Sequence, residues 1–166
     1  EFSSMATTSF AERRAEMLIR SGLDLVEAGE VERALDEFRT SARLLETAEA
    51  LTYWAWMEFH QGDSDRAIAL CRRAIVVDPE FGNPYNDIGS YLVSQGRSEE
   101  AIPWFYKAIL AGRYEPRQFP HINLGKLYLE KKQYRKALTH FQEAYRYVPY
   151  DPDIERIVGM LKEHLQ

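Results

Sequence analysis

Four columns of residues recur along this chain with one common spacing, and that period constrains the fold more than any other feature. Small residues stand at Gly22, Ala55, Gly89 and Gly125, separated by 33, 34 and 36 positions. Twelve residues after each comes an alanine: Ala34, Ala67, Ala101 and Ala137. Phe38, Cys71, Phe105 and Phe141 keep the same rhythm, as do Ser41, Ala74, Ala108 and Ala144. A period of this length implies similar supersecondary units stacked so that each touches mainly its neighbours. Gly29, Gly62 and Gly96 stand seven residues after their small residue, where a turn between two helices needs left-handed backbone; Lys132 takes that place in the fourth copy. The period therefore divides into a helix, a tight turn and a second helix. The small residues mark close approach of two backbones, and the aromatic column fills the space beside them. One such unit cannot bury its apolar face alone, whereas a stack can.

Local signals agree with helices. No segment alternates strictly between apolar and polar residues, and glycine and proline are too widely spaced to punctuate short strands. Ser9 followed by Glu12 reads as a capping box opening a helix that ends near Gly29. Asn83-Pro84 and Asp151-Pro152 each predict a capping side chain directly before a proline at the first helical position. Ile154, Ile157, Val158, Leu161 and Leu165 fall on one face of a final helix, which is expected to close the open end of the stack. Glu1-Phe2-Ser3-Ser4 ahead of Met5 reads as a vector-derived remnant, residues 1–4, with Met5 as the expected native start. The polar stretch after it is too short for a signal peptide, so cytoplasmic residence is expected.

The columns resemble the tetratricopeptide repeat, a 34-residue pattern with a small residue at position 8, Ala at 20, an aromatic at 24, Ala at 27 and Pro at 32. Units at 15–47, 48–81, 82–117 and 118–151 match it in phase, within a repeat region of 5–151 that includes a short N-terminal lead. Residues 152–166 form the capping helix. The fourth unit is the fullest copy, with Leu124, Gly125, Tyr128, Ala137, Phe141, Ala144 and Pro149. Departures are local: Cys71 replaces the aromatic, Glu46 and Arg113 stand where Pro would be, and two extra residues within 113–120 lengthen the third connection. The resemblance implies an all-α fold, a right-handed α-α superhelix of antiparallel helix pairs. It also implies that the first helices line a concave groove that holds a protein or peptide ligand.

Composition narrows the function classes. With 21 basic against 26 acidic residues the net charge is −5, which disfavours nucleic acid as a partner. No apolar run approaches the roughly 20 residues needed to span a bilayer, so no direct membrane insertion is expected. The single cysteine, Cys71, lies in the packing column and is expected to be buried and inert. His60, His121, His140 and His164 lack the i, i+4 spacing with glutamate of a zinc helix, and no phosphate-binding glycine loop is present. Acidic residues at second-helix starts, Asp63, Asp65, Glu99 and Glu100, read as caps and dipole complements. No catalytic residue, metal or cofactor is expected.

Carrying the groove positions over by resemblance puts Leu23, Val26, Tyr53, Trp56, Phe59, Asn86, Ile122, Asn123, Lys126 and Leu129 on the binding face. Tyr53, Trp56 and Phe59 are the expected anchors, unless residues 5–14, with Met5 and Phe10, fold back across them. Leu23, Val26, Ile122 and Leu129 form the apolar wall, and Asn86, Asn123 and Lys126 the polar contacts. Trp54, one residue from the stripe, is expected to serve packing alone. The cation pattern by which some family members grip a C-terminal carboxylate is absent in either register, and Asp87 would repel such a group. By unit the charge runs −4, −3, 0 and +3, a slope that could orient a charged partner or favour homo-oligomers. The function expected is an adaptor or scaffold for an extended or helical apolar peptide. Two alternatives are a bacterial secretion-type chaperone, suggested by the third connection, and a self-assembling structural protein.

Overall fold

The computed structural model describes residues 8–166, so the expected vector remnant, the Met5 start and Met5 as a cover lie outside the described residues. The described chain is helical throughout, in two compact units meeting at Asp78 and Pro79. The first unit holds α1 (Phe10–Glu27), α2 (Val31–Leu44), α3 (Ala48–His60) and α4 (Ser64–Val77). The second holds α5 (Asn83–Ser94), α6 (Ser98–Leu110), α7 (Gln118–Glu130), α8 (Tyr134–Tyr147) and α9 (Pro152–His164). Within each unit sequential helices pack as antiparallel pairs, α1 with α2, α3 with α4, α5 with α6 and α7 with α8, and α9 packs on α8.

The helix starts follow the sequence with one exception. Ser9 and Glu12 form the reciprocal capping box of α1. Asp63 caps α4 by accepting from the Arg66 N–H, and Asp151 caps α9 by accepting from Asp153 and Ile154. At α5 the cap is Gly82 and not Asn83, and no side chain caps it. The reason is the third connection: its extra residues return Arg113 to the segment before α5. Arg113 donates to the Glu80 carbonyl at 2.9 Å, and Gly82 donates to the Arg113 carbonyl at 2.9 Å. Tyr114 lies buried against Gly82, where a Cβ would collide with its own Cβ.

The turns inside the helix pairs are closed by left-handed residues, Gly29 at φ 77°, Gly62 at 93°, Gly96 at 75° and Lys132 at 57°. In the fourth turn Lys132 and Gln133 donate to the carbonyls of Leu129 and Tyr128, so a lysine holds the conformation that glycine adopts without strain.

The period also has a volume rule. A Cβ added at Gly22, Gly89 or Gly125 would stand 2.5, 2.5 or 2.7 Å from the ring of Phe38, Phe105 or Phe141 respectively. Those rings are fully buried. The second pair carries a Cβ at this position, in Ala55, and there the aromatic column holds the smaller Cys71; both are fully buried. Glycine with phenylalanine and alanine with cysteine are therefore two solutions to one packing volume. Ser41, the one polar member of its column, donates its hydroxyl to the Ala15 carbonyl at 2.8 Å.

Candidate functional site: the first-helix faces

In the first unit, α3 separates its aromatic residues by depth. Leu51, Trp54 and Met57 are buried, while Tyr53, Trp56 and Phe59 each keep part of their surface accessible. Tyr53 stacks on the buried Phe38 at 5.1 Å between centroids. Trp56 and Phe59 both meet the edge of His60, at 5.4 and 5.9 Å, and His60 Nδ1 lies 2.8 Å from the Trp56 carbonyl oxygen. Leu23 and Val26, on α1, are half-buried. Phe10 does not cover the stripe: it is 73% exposed at the start of α1. Trp54 does more than fill space, because its indole N–H donates to Glu58 at 2.8 Å. Glu58, almost buried, also pairs with Arg66 at 3.2 Å, and that guanidinium lies over the Trp54 ring. The carboxylate is thereby supplied with both a donor and a counter-charge, as a buried charge requires.

In the second unit the structure brings Asn86 and Asn123 together. The Asn123 amide donates to Asn86 Oδ1 at 3.1 Å, joining α5 to α7, and Asn86 is only 8% exposed. Ile122 is half-buried, and Lys126 projects into solvent one turn beyond Asn123. Leu129 lies at the end of α7 and lines an apolar pocket with Tyr134, Ile157, Met160 and Leu161, so it faces the closing helix. Asp87, next to Asn86 on α5, is half-buried. Loss of hydration pushes its carboxyl up to about 7.

A polar aromatic cluster that sequence spacing did not reveal sits between α6, α7 and α8. His121 Nδ1 and His140 Nδ1 are 3.1 Å apart, and Tyr106 Oη lies 3.0 Å from His140 Nε2 and 3.1 Å from Tyr128 Oη. Tyr128 stacks on His140, and Tyr147 on His121. Burial first, then the His121 charge, depress the His140 imidazole to about 4 against a smaller opposing pull from Glu143; burial also lowers His121. The two histidines share a unit, one on each helix, which was the available signal. Their meeting depends on helix packing rather than on spacing within either helix. Among the described residues no group of three or more His, Cys, Asp or Glu side chains is arranged to hold a metal ion.

Models of the tetratricopeptide repeat match residues 19–87, 83–111 and 119–151. The chain belongs to the tetratricopeptide repeat family. Its members are protein–protein interaction modules, and this chain has their solenoid-like arrangement of sequential antiparallel helix pairs. PilF of Pseudomonas aeruginosa is similar in structure, with a TM-score of 0.84 at 23% identity over 94% of this chain and 72% of that one. MamA of Desulfovibrio magneticus RS-1 matches at 0.70 and 18% identity, over 95% and 87% of the two chains. PilW, described as a widely conserved type IV pilus biogenesis factor, matches at 0.74 and 16%, over 87% and 70%. Likeness at these identities is likeness of fold. No curated protein sequence matches the chain. Among the described residues no helix is long and apolar enough to cross a membrane.

Proposed function

We propose that this tetratricopeptide repeat protein is a non-catalytic adaptor whose first-helix faces hold an apolar peptide segment of a protein partner. The observation that carries the reading is the Tyr53, Trp56 and Phe59 stripe on α3, three aromatics that keep accessible surface while the neighbouring Leu51, Trp54 and Met57 are buried. Aromatic side chains offer large apolar area at low conformational cost and dominate the energetics of peptide recognition. The test uses twelve-residue peptides selected from a random display library on the immobilised protein. Replacing Trp56 and Phe59 together by alanine should abolish their binding while leaving the helical signal and melting temperature nearly unchanged. Undiminished binding by the folded double variant would remove α3 from the site. Self-association is a second reading, favoured by the bare apolar side chains Val76 and Leu110, each 83% exposed, and Tyr150, 94% exposed. A concentration-independent monomer mass by light scattering would exclude it.

A further inference from the structure

Asp87 gives the α5–α7 face a chemical preference. It sits on α5 one turn from Asn83 and Ser90, beside the Asn86–Asn123 amide pair, and part of its surface remains accessible. Among the described residues its carboxyl has no hydrogen bond or ion pair, and the arginines of the following connection are committed elsewhere. Arg117 donates to the carbonyls of Ile109 and Ala111 at 2.8 and 2.9 Å, and Arg113 lies over the Phe81 ring at 4.5 Å. Loss of hydration alone accounts for the raised affinity of this carboxyl for its proton, with no opposing cation. The neighbouring Tyr114 hydroxyl is pushed up as well, by burial first and by the Asp87 charge second. A desolvated acid without a counter-charge is costly, and a partner that brings the cation removes that cost on binding.

We propose that the α5–α7 face accepts a segment carrying a lysine or arginine, whose charged group pairs with the Asp87 carboxylate. The Asn86–Asn123 pair lies beside that contact. This inference rests on the peptide-binding reading above and gives the α5–α7 face a charge preference of its own. It also inverts the specificity of a carboxylate-binding face, since the charge that the protein fixes here is negative.

The probes are the display-selected twelve-residue peptides, remade synthetically and measured against the wild-type protein, Asp87→Asn and the surface control Glu155→Gln. Selected peptides should carry a lysine or arginine among apolar residues and bind Asp87→Asn at least about tenfold more weakly than wild type. Changing that cation to glutamine in the peptide should cost the same factor on wild type and nothing further on Asp87→Asn. Glu155→Gln should bind normally, which separates local pairing from general charge attraction. Asp87→Asn should fold and melt no lower than wild type, since it removes an unpaired acid. Peptides that bind Asp87→Asn as tightly as wild type would overturn this inference and leave the peptide-binding reading standing. A library that yields no binder overturns both.

Discussion

Gly89→Ala tests the volume rule because the helix and the core pull in opposite directions. On α5 the new methyl group would lie 2.5, 2.7 and 2.8 Å from the Phe105 ring atoms Cε1, Cζ and Cδ1. Carbon atoms rest at roughly 3.5–4.0 Å, so the overlap is about 1 Å against a ring with no accessible surface. Helix propensity alone would favour alanine over glycine by about 1 kcal/mol. Overpacking costs ~1–3 kcal/mol or more where neighbours cannot yield, and a fully buried ring sits at the upper end of that range. The expected net loss is about 2 kcal/mol. Phe105→Cys alone leaves a cavity and should cost ~3 kcal/mol, near the lower end for removing a buried aromatic ring. The combination Gly89→Ala with Phe105→Cys recreates the Ala55–Cys71 arrangement of the second helix pair. The clash vanishes and the propensity gain remains, so the double variant should be no less stable than Phe105→Cys. Urea unfolding of the four proteins gives the coupling energy, expected at about 2–3 kcal/mol in favour of the pair. Strict additivity, or a neutral Gly89→Ala, would refute the explanation of the two columns.

Other outcomes follow from the same coordinates. Lys132→Gly should raise stability by ~1 kcal/mol in thermal or chemical unfolding, because it relieves a non-glycine residue at φ 57°. Gly62→Ala, at φ 93°, should lower stability by a similar amount. Glu58→Ala should cost about 1–3 kcal/mol and blue-shift or broaden the Trp54 signal, since it leaves the buried indole N–H without an acceptor and removes the partner of the solvent-accessible Arg66. Two groups give opposite pH dependences. His140 is held near 4 in the folded chain against about 6.5 unfolded, so its contribution is complete above about pH 6.5 and is lost as pH falls toward 4, by well under the ~3 kcal/mol of the full shift because solvent reaches the ring and screens it. Asp87, near 7 against 3.8, works the other way: stability is lost as pH rises from about 4 to 7, by up to ~4 kcal/mol, less for the access its carboxyl keeps. Asp87→Asn should therefore be the more stable protein at pH 8, and its unfolding between pH 4 and 6.5 should show the acid sensitivity that the two slopes partly cancel in the wild type.

The helix pairs were legible because the packing that makes them repeats. A small residue followed 16 positions on by an aromatic in three copies, and by Cys71 in the other, keeps phase four times and identifies two faces of one helix pair. The compensating exchange was equally visible, since Ala55 and Cys71 depart from their columns in the same unit, yet its meaning needs the distance between a glycine Cα and a ring. The Asn83 cap failed because the third connection, through Arg113, holds the entry to α5, a long-range contact that no local pattern encodes. The binding face was legible as helix positions but not as chemistry. Spacing placed Asn86, Asn123 and Leu129 together by analogy; in the structure two of them bond to each other and the third turns to the α9 pocket. Asp87 entered the sequence reading only as a reason to exclude a carboxylate ligand. Its lack of a cation depends on where Arg113 and Arg117 go, which is a property of the folded loop.

Hydroxyl-radical footprinting with and without a saturating selected peptide tests most directly whether the first-helix faces form the binding surface. Side chains on those faces, on α6 and α8, and in the turn before α9 carry reactive rings with accessible surface, so one experiment samples all of them. Oxidation of Trp56 and Phe59 should fall on binding while Tyr106, Tyr147 and Tyr150 are unchanged. Protection of Tyr106, Tyr147 and Tyr150 with Trp56 and Phe59 unaffected would contradict it.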